Sequence, residues 1–177
     1  MKIHGQPLNV DFSKQIELPR PDGRSLVLTI RPLALGFHRR LRKNGIVPPT
    51  PPTRVARDSA GRPIRDERNL AVLVADEQDA AYAESCELYH QRIAVLVAVE
   101  ALRDDPGLQF ETHQPAEGCD WCQYADRLHE EFEQAGWSAG DLIHICDEVC
   151  RLSNLVDEHM QRSYERFFPP GCEAETS

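Results

Sequence analysis

One stretch limits this chain more than any other: Gly136 to Phe168, GWSAGDLIHICDEVCRLSNLVDEHMQRSYERFF. Ser138 is a natural N-cap, and Asp141 three residues later gives capping-box spacing, with Asp in place of the usual Glu. Leu142, Ile145, Cys146, Val149, Leu152, Val156 and Met160 recur at helical spacing and form one apolar stripe. Phe167-Phe168-Pro169-Pro170-Gly171 closes the element, because proline cannot continue a helix. A helix of roughly 30 residues is about 45 Å long at 1.5 Å per residue. The rest of a small domain covers only part of that length, which leaves some of the stripe for a partner. The pattern points to a binding protein more than to a catalyst.

At 177 residues the chain suits one domain and can bury a genuine core. Its longest apolar run, Ile93 to Val99 followed by Ala101 and Leu102, falls well short of the roughly 20 residues that span a bilayer. It therefore reads as a buried helix, and no membrane association is expected. The opening residues, MKIHGQPLNV, hold no apolar signal-peptide core, so a cytoplasmic protein is expected, and under the resemblance named below that cytoplasm is a bacterial host's. The net charge of −9 hides an asymmetry. Residues 1–70 carry 14 Lys/Arg against 6 Asp/Glu, a balance of +8, while the rest carries 6 against 23, a balance of −17. Either the halves attract each other within one fold, or each solvates its own surface, or the acidic helical surface meets a basic partner. Nucleic acid is a poor partner for the acidic part, because phosphate neutralisation needs clustered Lys and Arg. His38-Arg39-Arg40-Leu41-Arg42-Lys43 has such clustering but no aromatic interleaving.

Residues 7–33 predict a β-hairpin. Leu8, Val10 and Phe12, then Ile16 and Leu18, alternate with polar residues at strand period two. Pro19 to Gly23 supplies the turn, and Leu26, Leu28 and Ile30 the return strand, with Val27 on the other face and Pro32 as its end. Gly36 to Asn44 predicts a short basic helix stopped at Asn44-Gly45. The IVPPTPPT tract at 46–53 is a linker in which four prolines favour extended polyproline II. From Thr53 an exposed hairpin or arm follows, with its turn at Asp58 to Gly61. Its flanks are too polar for a core, so it is expected to be mobile or to fold on a partner. No internal repeat is evident.

The remainder reads as helix. The first helix starts at Asp76 or Asp79, with Tyr82, Cys86, Tyr89, Ile93, Leu96 or Val97, and Glu100 or Ala101 along one face. Its last turns are apolar nearly all round, the mark of a central helix. Leu108-Gln109-Phe110 is a connector, with a short strand as one option. The second helix runs from about Asp120 to Ala135, burying Trp121, Tyr124, Leu128 and Phe132, with Gly136 at C′. The expected fold is α+β, mainly α: an N-terminal β-hairpin and Pro-rich arm followed by a three-helix bundle. The expected divisions are 1–45 (hairpin and basic helix), 46–70 (linker and arm), 71–170 (helical domain) and 171–177 (a disordered tail).

Two constellations bear on chemistry. Cys119 and Cys122 have metal or redox spacing, while Cys146 and Cys150 put two thiols on one helical face. Together they have the composition of a four-thiolate zinc site. Against that, Cys146 and Cys150 lie on the apolar stripe, where cysteine acts as a small hydrophobe. His129 beside Glu130-Glu131 has the residue types of an acid-base pair, but such neighbours occur on almost any acidic helix. With no phosphate loop, nucleophile elbow or HExxH motif, no residue is a candidate for catalysis and no cofactor is expected beyond the zinc option.

In its order of features the chain resembles the tail assembly chaperones of tailed bacteriophages and prophages. The likeness lies in the hairpin entering Arg31-Pro32-Leu33, the proline-rich arm, and the helix opening near Asp79-Ala80-Ala81-Tyr82. It continues through the Leu108 to Glu111 connector and the helix pair joined at Ala135-Gly136-Trp137-Ser138. The resemblance implies a non-enzymatic role: binding the long tape measure protein during tail morphogenesis and recruiting tail tube subunits. A helix-rich, acidic chain suits the covering of amphipathic client helices in a helix-in-groove mode. The late residues of the opening stretch, Val156, Met160, Tyr164, Phe167 and Phe168, are the candidate partner-binding set, and self-association is a further option. The rival readings are a virion structural component, such as a tail-completion or connector protein, and a zinc-stabilised interaction module.

Overall fold

The computed structural model describes residues 2–3, 6–7, 12–116 and 120–153. Strands β1 (Lys2–Ile3) and β2 (Gln6–Pro7) form a minimal antiparallel ladder that the sequence pattern does not announce. The hairpin proper pairs β3 (Lys14–Pro19) with β4 (Ser25–Ile30), placing Ile16 opposite Leu28 and Leu18 opposite Leu26. Period two sends Ile16, Leu18, Leu28 and Ile30 into the core and leaves Val27 outside. Gly23 closes the turn at φ +80°, a conformation glycine adopts without a Cβ clash. The expected strand is shorter than the pattern indicates: Phe12 is exposed and precedes β3, and Leu8 and Val10 lie outside the described residues. Helix α1 (Phe37–Lys43) buries Phe37 and Leu41 and stops at Asn44-Gly45 as read.

Three longer helices make the body. Helix α2 (Ala80–Leu102) starts where the Asp79 carboxylate accepts the Tyr82 N–H at 2.9 Å. Val95 to Val99, Ala101 and Leu102 are all buried, so its second half has no solvent face. Helix α3 (Trp121–Gln134) is capped by Asp120, and its buried Trp121, Tyr124, Leu128 and Phe132 are the four expected. Gly136 leaves it at φ +77°. Helix α4 (Ala139–Leu152) carries the predicted capping box between Ser138 and Asp141. Helices α3 and α4 each pack on α2, and the β3–β4 hairpin lies against α2 and α4. The described architecture is therefore α+β and mainly α, with the hairpin ahead of a three-helix bundle.

The connector Leu108 to Phe110 is coil rather than the optional strand, and its Phe110 ring packs on Phe132 with ring centroids 5.8 Å apart. Among the described residues α4 ends at Leu152 with Ser153 at φ −85°, ψ 2°, and the later half of the expected roughly 30-residue helix lies outside the described residues. The Ser153 hydroxyl accepts the Leu33 N–H at 3.0 Å, tying the end of the helix to the chain after β4.

Part of the charge asymmetry is met by pairing inside the fold. Lys14 pairs with Glu148, Arg20 with Asp141 at 2.5 Å, Arg31 with Asp104 at 2.9 Å and Arg40 with Glu100 at 2.7 Å. Each joins the basic N-terminal half to an acidic residue of the helical half. The hairpin and α1 are thus clipped onto the body by charge as well as by apolar burial.

Candidate functional site

The chain between Thr53 and Ala75 forms an arm built on its own plan. Strand β5 (Thr53–Val55) pairs antiparallel with β6 (Leu73–Ala75), so the arm runs to Ala75. Beyond this stem two tight turns branch off, bridged at Arg57–Pro63 and Arg65–Ala71. The three ladders meet at a junction in which Ile64 N–H donates to the Ala56 carbonyl, Val72 N–H to Ile64 and Ala56 N–H to Val72, at 2.8–2.9 Å. Each junction residue gives one bond and accepts one, so the backbone is satisfied without a core.

The two turns are one module used twice, an internal repeat of eight residues that the sequence pattern conceals. Asp58 Oδ1 accepts the N–H groups of Ala60 at 2.9 Å and Arg62 at 2.8 Å; Asp66 Oδ1 accepts those of Arg68 and Leu70 at the same two distances. Arg57 donates to the Gly61 carbonyl at 2.7 Å, and Arg65 to the Asn69 carbonyl at 2.7 Å. Gly61 and Asn69 occupy equivalent positions with φ +76° and +63°. Asn is the residue that best substitutes for glycine in that left-handed region. Arg57-Asp58 and Arg65-Asp66 are therefore locks, a side-chain cap on each side of a turn.

What the arm presents is apolar and cationic. Ile64, Leu70, Leu73 and Val74 are exposed, with Leu70 at 62% and Leu73 at 61%. Arg62 and Arg68 are exposed on the same arm, and neither makes an ion pair among the described residues. Exposed apolar side chains grouped on one element mark an interaction surface. Helix α2 follows the arm in sequence and is also uncovered at its start: from Ala80 to His90 it buries no residue, and only Tyr82, Cys86 and Tyr89 are half-covered. Glu84 and Glu87 are exposed on the same stretch, with Leu88 beside them. A cavity of about 200 Å³ separates Leu88 and Tyr89 from Ile46, Val47 and Pro49 of the linker.

The residues proposed from sequence separate in space or in description. Val156, Met160, Tyr164, Phe167 and Phe168 lie outside the described residues, as does Cys119. Cys122 opens toward the linker cavity. Cys146 is packed inside, its thiol 3.5 Å from the Ala94 carbonyl. Burial, followed by the neighbouring Cys150 and Asp147, pushes the Cys146 thiol up to about 11, which opposes the thiolate a zinc ligand must supply. Burial and then Asp147 raise Cys150 also. Among the described residues no three His, Cys, Asp or Glu side chains converge on one point. Of the acid-base neighbours on α3, His129 sits 3.8 Å from Glu133. Glu131 instead fixes the connector, accepting the Glu111 and Thr112 N–H groups at 2.7 and 2.9 Å. Burial works to raise Glu131, but these bonds outweigh it and hold its carboxyl below the usual range.

No protein-family model, no curated protein and no solved structure matches this chain.

Proposed function

We propose that this chain is a non-enzymatic tail assembly chaperone of a tailed bacteriophage or prophage. In this role it binds the helical tape measure protein and helps bring tail tube subunits to it. The observation that carries the reading is the arm. Its backbone is fixed by its own hydrogen bonds while Ile64, Leu70, Leu73 and Val74 are turned to solvent. A preformed element with exposed apolar side chains binds without the ordering cost that a disordered segment meets on capture. On the uncovered first half of α2, the helix that follows the arm, Glu84 and Glu87 offer acidic contacts to a basic client helix. An amphipathic client lays its apolar face against the arm and its cations along α2.

Co-expression with the tape measure protein encoded nearby tests this. The chaperone should co-purify with it and be missing from mature particles analysed by mass spectrometry. Presence in finished virions at structural stoichiometry would instead identify a virion component. Failure to capture any tape measure protein would overturn the reading.

A further inference from the structure

A second surface lies apart from the arm. Between α1 and the chain around Gln114, Pro115 and Trp121 is a cleft of about 590 Å³. Arg39 and Lys43, one turn apart on α1, line it and make no ion pair among the described residues. Arg40 lines it as well, with one guanidinium nitrogen given to Glu100 at 2.7 Å. On the rim Leu35 is fully exposed. Neither Arg39 nor Lys43 takes part in the ion pairs that join the basic half of the chain to the helical body. Beneath the cleft, Arg40 Nε and the Trp121 indole N–H are buried without a protein acceptor. Both residues line a void of about 10 Å³ with Glu100 and Gln114. That void is about the size of one water, which would satisfy both donors.

We propose that this cleft binds a peptide carboxylate: a Glu or Asp side chain on a partner segment, seated between Arg39 and Lys43, with an apolar neighbour of that residue against Leu35. A carboxylate accepts hydrogen bonds from guanidinium and ammonium groups together, and such charge-assisted bonds are stronger than neutral ones. A nucleic acid fits less well. Trp121, at 6% exposure, offers no face on which a base can stack, and the molecule's net negative charge repels a polyanion. The proposal does not depend on the identity of the client bound by the arm.

The test uses the full chain labelled with ¹⁵N and follows its two tryptophan indole N–H resonances, assigned with Trp137→Phe. The probe is an acetylated, amidated Leu-Glu-Ala-Leu-Glu peptide. The Trp121 resonance should move saturably, that of Trp137 should stay in place, and the Gln-for-Glu peptide should bind at least tenfold more weakly. Arg39→Ala with Lys43→Ala should weaken the acidic peptide tenfold or more. Both side chains are exposed, so the melting temperature should hold. Arg24→Ala in the exposed hairpin turn should change nothing. Equal binding of the Gln peptide, no effect of the double variant, or tighter binding of single-stranded DNA would each overturn the proposal. So would a tenfold gain in peptide affinity on Glu173→Gln with Glu175→Gln, which would give the cleft to the chain's own acidic end rather than to a partner.

Discussion

In the helical body Leu102, Leu128 and Ile145 are fully enclosed, and three helices and a hairpin share one apolar core. In the arm between Thr53 and Ala75 no side chain is buried, yet the backbone follows a defined path through three ladders and two locked turns. The body is held by area removed from water, which is non-directional and tolerates approximate complementarity. The arm is held by directional bonds, most of them to solvent-exposed backbone, so each one matters locally and none supports the whole. Such a unit opens at lower free energy than the core it is attached to. Helix α2 belongs to both regimes, with its second half enclosed and its first half bare. This sequence concentrates its stability in one region and exposed apolar surface in another.

Breaking the body should give the largest effect. Leu128→Ala removes a fully buried side chain where α3 meets the core and should destabilise the protein by about 3 kcal/mol. Chemical denaturation would measure this, and a loss under 1 kcal/mol would mean that the site is not packed as described. Next comes Asp141→Ala, which removes the α4 capping box and the partner of Arg20 together. A cap alone contributes roughly 1 kcal/mol, and stranding a half-buried arginine adds to it, so about 2 kcal/mol is expected.

Acid should act on the body through the same residues. For Glu148 the Lys14 hydrogen bond is the leading cause and outweighs burial; for Asp141 burial works to raise the pKa but the Ser138 and Arg20 bonds prevail. Both carboxyls are held below their ordinary values of 4.5 and 3.8. Folded pKa values below unfolded ones mean that the stabilisation is full above about pH 4.5 and is lost as pH falls through the depressed values. Melting temperature should therefore be flat from pH 7 to 5 and fall below 4.5, with the fall reduced in the double variant Asp141→Asn, Glu148→Gln. A variant that falls as steeply as the native chain would contradict this.

The smallest global effect belongs to the arm. Asp58→Ala or Asp66→Ala should leave the melting temperature within a degree or two. Each should also raise amide hydrogen exchange tenfold or more in its own turn, at Arg62 or at Leu70 respectively. Exchange that rises equally in both turns would show that the modules are not independent.

Much of the body was legible because its signals are local. The Ser138–Asp141 box, the exit of α3 at Gly136 and the hairpin turn at Gly23 are each written within a few residues. The four core residues of α3 follow from period alone. What stayed hidden depends on partners distant in sequence. Leu73 to Ala75 reads as the entry to a helical region, but its backbone is claimed by Thr53 to Val55, and no local pattern announces that pairing. The repeat was masked because only Arg-Asp is identical between modules, while Gly61 and Asn69 share a backbone angle rather than a side chain. The tie from the Leu33 N–H to the Ser153 hydroxyl at the end of α4 likewise joins residues far apart along the chain. As for function, exposed leucines and valines look like core residues in a sequence, and only the fold reveals which of them face water.

Capture of a tape measure protein by an armless chain tests the central claim most directly. Residues 53–75 are replaced with a Gly/Ser linker, and the variant and native chains are co-expressed with the client and purified side by side. The account predicts an unchanged melting temperature for the body and at least a tenfold loss of co-purified client. Full capture by the armless chain would contradict it.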